Sequence, residues 1–382
     1  MFISLIGTWI QSVAQSWLVY QLSNSTFLLG VVGFLGSIPV FFLSLFGGVL
    51  ADRVEKRKIL IFTQTAFMIL AFVLAFLTQA KLITTAQIML IALLNGIVMA
   101  FDTPSRQAMV AELVDKRNLF NAIALNSVAF NSSRIIGPAI AGILVASIGM
   151  SGCFYINGIS FLAVIIALLV IKVNHTLKTK PGASALKDLK DGFSFVKEDR
   201  LIIILISMVG VVSLFGVSYV ILMPVFASTV LNVGVKGMGI LMSSSGIGAL
   251  LGALFLARAG DFKRKGVFLI IASIIFSVSL ILFSLSKSYA LSLIALAFVG
   301  SSSVAAIALI NTILQIKVPD EFRGRVMSVF ILTFFGFMPF GNLIAGTLAH
   351  LFGVSFTIML SGIVCALFFI LINIFCRQIR SI

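Results

Sequence analysis

Charge is scarce in this 382-residue chain. Asp, Glu, Lys and Arg make up only 10% of it, where soluble domains carry about 25%. So few charges cannot solvate the surface of a water-soluble protein of this size, which excludes a soluble globular enzyme. Histidine is rarer still, with only His175 and His350. There is no His-Glu-x-x-His, no pair of acids inside an apolar run and no glycine-rich phosphate loop. Metal-assisted hydrolysis and ATP-driven chemistry therefore lack their usual residues; no metal and no other cofactor is expected, and the chain is read as no enzyme. The three cysteines, Cys153, Cys365 and Cys376, are an odd set without a C-x-x-C pair. They are expected to be free thiols packed as small apolar side chains.

Hydrophobic residues fill the space that charge leaves, at 60% of the chain with 36 Phe. Runs such as Ile59–Leu77 and Leu201–Phe226 reach the roughly 20 apolar residues that a helix needs to cross hydrocarbon. Strict alternation in segments of about 10 residues, the mark of a membrane barrel, is absent. The pattern predicts an all-α integral membrane protein with twelve spans, near 2–21, 28–50, 59–79, 86–104, 120–147, 152–171, 201–230, 237–257, 266–286, 289–316, 324–350 and 354–376. The first of these has no basic leader and no small-residue cleavage site, so it reads as a span and not as a signal peptide. A transporter usually carries a basic leader there, and the natural start is expected to lie upstream of Met1.

The formal net charge of +15 would suit nucleic acid if it were gathered on one face, but it is dealt out along the chain. Basic residues crowd Arg53–Lys58, Arg106–Arg117, Lys172–Arg200, Arg258–Lys265, Lys317–Arg325 and Arg377–Arg380, while the intervening breaks hold only Lys81, Lys236 and Lys287. That alternation is the positive-inside bias. It predicts a multi-pass cell-membrane protein with both termini cytoplasmic, a lipid bilayer as partner and no nucleic acid. The long break 172–200 divides the spans into a first bundle, 1–171, and a second, 201–382. Within the break, Pro181-Gly182 marks a turn, and Ala185–Val196 has the pattern of an amphipathic helix. Gly48 and Gly252 before two charged turns, and Asp115 and Asp320 in two others, recur at nearly the same offset, as in a duplicated half.

The densest charge lies at Gly48–Lys58, where two apolar spans are joined by six charges in seven residues. Together with Phe101-Asp102-Thr103-Pro104-Ser105-Arg106-Gln107, Gly137-Pro138 and Val318-Pro319-Asp320-Glu321-Phe322-Arg323-Gly324-Arg325, it resembles the major facilitator transporters. The closest resemblance is to the drug and siderophore exporters that include the enterobactin and macrolide exporters. This implies two pseudo-symmetric six-helix bundles around a central cavity, and alternating-access export of a small amphiphilic molecule by proton antiport. A facilitator or importer of a small solute is the alternative. A monomer is expected. Three departures stand out: Glu55 replaces a frequent glycine, the fourth span lacks a mid-helix arginine, and Gly137-Pro138-Ala139-Ile140-Ala141-Gly142 has alanine for one glycine.

Candidate sites follow. Asp52 is suited to the amide-rich start of the eleventh span beside Arg323 and Arg325; with Gly48, Arg53, Arg57 and Asp102 these form a candidate cytoplasmic gate. Asp102 either caps Ser105 or neighbouring amides ahead of Pro104 or, as the resemblance implies, pairs with Arg53 or Arg57. Gly137, Pro138 and Gly142 mark a bend that is tied to exporters in relatives and is otherwise an ordinary kink. Arg134, deep in the fifth span, calls for carbonyls, Asn131, Asn157 or an anionic substrate. Gln11, Gln15, Trp17, Asn95, Asn126, Asn131, Asn157 and Asn311 are candidate polar anchors of a mostly apolar cavity.

Overall fold

The structure, a computed structural model, describes residues 2–171, 185–260 and 264–381. Most of the central break and its Pro181-Gly182 turn, and residues 261–263 of the break before Lys265, lie outside the described residues. The first half runs α1 (Phe2–Ser23), α2 (Thr26–Arg53), α3 (Lys56–Gln79), α4 (Thr85–Glu112) and α5 (Leu119–Val170). The polar ends of the spans fix where helices start. Ser25 accepts a hydrogen bond from the Leu28 amide, and Thr84 and Gln87 close a reciprocal capping box at α4, satisfying amides that have no partner inside the helix.

Helix α5 covers both predicted fifth and sixth spans. Its backbone turns at Gly149 (φ 76°, ψ 176°), a left-handed conformation open to a residue without Cβ. At 1.5 Å per residue a 50-residue apolar stretch is about 75 Å long, enough for two crossings of a roughly 30 Å core. Among the described residues, eleven helical stretches are long and apolar enough to span a membrane, and α5 doubles as two, giving the twelve crossings that the sequence predicts.

The second half starts with α6 (Ala185–Glu198), which falls on the predicted amphipathic segment, and α7 (Arg200–Val211). The seventh span continues to Val230 through a π turn at Val212–Gly216, a 3₁₀ turn at Ser218–Leu222, the single turn α8 (Met223–Val225) and a second π turn at Phe226–Val230. Pro224 sits in α8 and donates no amide, so the regular ladder cannot run through it. Four long helices and the last span complete the chain: α9 (Gly234–Ala259), α10 (Lys265–Leu285), α11 (Tyr289–Lys317), α12 (Asp320–Phe352) and α13 (Val354–Phe375).

Two compact units result. One comprises Met1–Pro181 with Gly234–Ser243, the other Gly182–Val233 with Ser244–Ile382. In the first, α1 and α3 pack on α5, and α2 packs on α4. In the second, α10 packs on α11 and α13, and α12 on α6 and α13. Small residues bring backbones together where helices cross: a Cβ on Gly96 of α4 would stand 2.5 Å from the Gly36 carbonyl oxygen of α2, and Gly252 of α9 lies against Ser301 of α11. Side chains such as Phe62 (74% exposed) and Val170 (75%) point outward, a cost in water that disappears when the solvent is lipid. Several hydroxyls within the spans are satisfied by their own helix, as Thr8 by the Ser4 carbonyl and Thr65 by the Ile61 carbonyl.

Candidate functional site

The charged turn between α2 and α3 is only Val54 and Glu55 long. Its cations reach outward to other helices. Lys56 Nζ lies 2.6 Å from Glu112 Oε1 at the end of α4, and Arg57 donates to the Leu168 and Leu169 carbonyls at 2.6 and 2.7 Å. Those carbonyls belong to the last turn of α5, where no intrahelical amide remains and the helix dipole favours a cation. Asp52 and Arg53 are exposed in the final turn of α2 and have no hydrogen-bond or ion-pair partner among the described residues. Gly48 has open space where a Cβ would be; it is Gly47 that lies against the backbone of Ala100 and Phe101. The backbone approach between α2 and α4 thus uses the neighbour of the predicted glycine.

Asp102 is fully buried, and its partners differ from those the resemblance implies. Its Oδ1 accepts from Thr63 Oγ1 and Gln64 Nε2, both at 2.8 Å, and its Oδ2 is ion-paired with Arg106 one turn along α4. Arg57 is committed to the end of α5, and Arg53 is exposed, so neither serves Asp102. The cap role expected for it before Ser105 is also unfilled, since Ser105 Oγ is buried without a partner. Thr63, Gln64 and Arg106 were not singled out in the sequence. Arg106 lies within the quoted Asp102 motif, and its spacing of four on one helix was the available signal; Thr63 and Gln64 are merely polar residues in an apolar run. Beside this cluster is a cavity of about 140 Å³ lined in part by Ser4, Gln64, Arg106 and Met109.

The Gly137-Pro138 segment is a contact surface. Gly137 lies against the side chain of Trp9 in α1, and Gly239 of α9 lies against the Pro138 carbonyl and Gly142. A Cβ on Gly142 would stand 2.9 Å from the Val235 carbonyl oxygen. Ser243 Oγ donates to the Ile135 carbonyl at 2.6 Å, within the turn that Pro138 disrupts. Three small residues and a proline therefore let the first turns of α9 seat directly on the backbone of α5.

The remaining candidates separate. Gln11 and Asn157 are joined across α1 and α5, Asn157 Nδ2 donating to Gln11 Oε1 at 2.7 Å while Ser160 donates to Asn157 Oδ1 at 3.1 Å; both residues are buried. They brace two helices and do not line an open cavity, and Trp17 is buried with them on α1. Asn131 donates to the Ser127 carbonyl of its own helix, and Asn311 accepts from Gln315 one turn on. Gln15, Asn95, Asn126 and Arg134 are half-buried, and none has a hydrogen-bond or ion-pair partner among the described residues. On α12, Arg323 binds Asp320 and the Gln315 carbonyl. Arg325 lies 3.6 Å from Asp191 of α6 and over the Phe322 ring. Sequence reasoning gave α6 no such role.

Comparison with known proteins places this arrangement. The chain is 29% identical over 365 residues to the staphyloferrin A transporter of Staphylococcus aureus, spanning 95% of this chain and 91% of that protein. It is 26% identical over 330 residues to the enterobactin exporter EntS of Shigella boydii, spanning 85% and 77%. Among solved structures, a bacterial homologue of the human lysosomal transporter Spinster, inward-facing and occupied, superposes with a TM-score of 0.77 at 15% identity, covering 99% of this chain and 96% of that one. The nucleoside transporter NupG does so with 0.71 at 18% identity, covering 97% and 98%. At such identities the two structures speak for the fold alone. The family profile described as transmembrane secretion effector matches residues 1–381, and with its twelve crossings this chain belongs to that family of major facilitator transporters.

Proposed function

We propose that the chain is a secondary transporter that exports a small amphiphilic molecule, drug- or siderophore-like, from the cytoplasm by alternating access with proton antiport. The observation that carries this reading is the seat of α9 on α5 at Pro138, Gly142, Gly239 and Ser243. It is built from backbone and small residues, with the Ser243 hydroxyl bonded to the Ile135 carbonyl across it, and in this reading it parts and re-forms during the cycle. Two relatives are named for siderophore transport or export, which supports the cargo class. In this reading both termini are cytoplasmic, the protein acts as a monomer, and 172–200 links two six-helix halves, 1–171 and 201–382. Asp52, exposed at the end of α2, acts in a cytoplasmic gate together with Arg323 and Arg325 of α12. Gln15, Asn95, Asn126, Asn131, Arg134 and Asn311 are the remaining cargo contacts.

One observation favours the second reading, a facilitator or importer without proton antiport. Asp102 is the one fully buried acid among the described residues, and Arg106 already balances its charge. The two readings part in one experiment. Cells with and without the protein are loaded with a panel of fluorescent amphiphiles and a siderophore, and accumulation is followed before and after an uncoupler. Expression is expected to lower accumulation, and the uncoupler to restore it. Export that ignores the uncoupler removes proton antiport, and an unchanged panel removes export.

A further inference from the structure

We propose that the start of the second half carries a binding site for anionic phospholipid of the cytoplasmic leaflet, formed by the outer face of α6 and the cavity next to Arg200. Helix α6 has two unlike sides. Gly192 and Phe195 face α12, and Val196 beside them is buried: Gly192 lies against the Arg325 backbone, and Phe195 stacks on Phe322 with centroids 4.5 Å apart. Lys190, Phe193, Ser194 and Lys197, spaced i, i+3, i+4 and i+7, share the opposite face and are exposed. Charge is sorted the same way. Asp191 turns to Arg325, and Asp199 caps α7 by accepting from the Leu201 and Ile202 amides. Both lysines are left without an ion pair among the described residues.

The position of α6 decides what meets that face. It ends at Glu198, three residues before the apolar run of the seventh span begins at Leu201, so it lies where hydrocarbon gives way to water. Phe193, 42% exposed between two cations, has the amphipathic character of a residue dipped into the headgroup layer. A separate observation points to the same ligand. A cavity of about 350 Å³ lies between the start of α7 and the end of α13. Arg200 and Gln378 give it a polar side, and Leu201, Ile204, Ile374 and Phe375 an apolar one. A phosphodiester on Arg200 with an acyl chain along those apolar residues satisfies both sides. Among the described side chains of α6 and its junction, three cations (Lys190, Lys197, Arg200) face outward against one exposed acid, Glu198. That excess favours an anionic lipid over a zwitterionic one, whose ammonium it repels.

The test uses the full-length protein in neutral detergent at low salt, with retained lipid read by native mass spectrometry and by the shift in melting temperature. Phosphatidylglycerol is expected to be retained at least tenfold over phosphatidylcholine. Each cation near a membrane surface contributes about fivefold, so Lys190→Gln with Lys197→Gln and Arg200→Gln together should erase the preference. Sodium chloride at about 0.5 M should erase it in the unaltered protein through screening, which keeps the proposal falsifiable even if the triple variant folds poorly. A triple variant that keeps the preference, a preference indifferent to salt, or displacement of the lipid by millimolar inorganic phosphate would each overturn it, the last by making the site one for free anions. None of these readouts involves cargo, so they stand apart from the export reading.

Discussion

The buried carboxylate of Asp102 allows a prediction with a number attached. It accepts from Thr63 and Gln64 and is ion-paired with Arg106. Hydrogen bonds to a charged group contribute about 1.5–3 kcal/mol each, and breaking a fully buried pair costs about 3–5 kcal/mol. The Arg106 side chain keeps 28% of its exposure, so water softens the loss on its side. Asp102→Asn keeps the shape but either turns an amide donor toward Arg106 or, flipped, removes the acceptor shared by Thr63 and Gln64. A loss of about 2–3 kcal/mol is expected on these grounds. Arg106→Gln alone should cost about 2 kcal/mol by stranding the carboxylate. The two together should cost less than their sum by about 1.5 kcal/mol, because the second change removes a charge that the first had left unmatched. The assay is reversible unfolding of the purified protein in mixed micelles, with all four members of the cycle measured. The control is the pair that family resemblance suggests: Asp102→Asn with Arg57→Gln should be additive within about 0.5 kcal/mol. Additivity for Arg106 together with coupling to Arg57 would refute the reasoning and return Asp102 to the charged turn.

Four further outcomes are expected. Gln11→Leu should destabilise by about 1 kcal/mol, near the upper range for interhelical hydrogen bonds in membranes, and Gln11→Leu with Asn157→Leu should recover part of it, as read by the same unfolding assay. Gly142→Val puts side chain where the Val235 carbonyl oxygen would stand 2.9 Å from a Cβ; transport should fall at least tenfold at normal folded yield, and transport at the original rate would show that the α5–α9 seat does not open and close. Arg134 is half-buried without a partner among the described residues, so Arg134→Gln should leave yield and melting temperature unchanged while raising the KM for an anionic cargo about tenfold. A loss of folded protein instead would make it a structural residue. Asp52→Asn should abolish transport while the protein still reaches the membrane, measured as export per surface-labelled molecule.

Much of the fold was legible because hydropathy is a sum over neighbours in sequence. Each span announces itself by length, and the breaks by their lysines and arginines, so the twelve crossings and the amphipathic segment at Ala185 fall where the pattern places them. Part of the candidate site was legible for a similar reason. Glycine and proline inside an apolar run have few uses other than close approach and bending, and Gly137, Pro138 and Gly142 do meet another helix. The polar residues were less informative. Gln11 and Gln15 sit on one face of α1, yet Gln11 is taken up by Asn157 of α5 while Gln15 is not. Which of two equivalent positions finds a partner depends on where another helix crosses.

The amino-acid sequence determined the solvent of this protein, the number of its crossings and the sites of its charged breaks, because these follow from transfer free energies that add along a helix. Tertiary structure alone decided the partners. It gave Asp102 to Thr63 and Gln64, sent Arg57 to the end of α5, and made Gly47 instead of Gly48 the point of contact with α4. It also gave Arg325 to α6 through Asp191. Hydrogen bonds and ion pairs act over about 3–4 Å, a distance set by how helix faces rotate and cross when their small residues meet, and no property of a single segment contains that rotation.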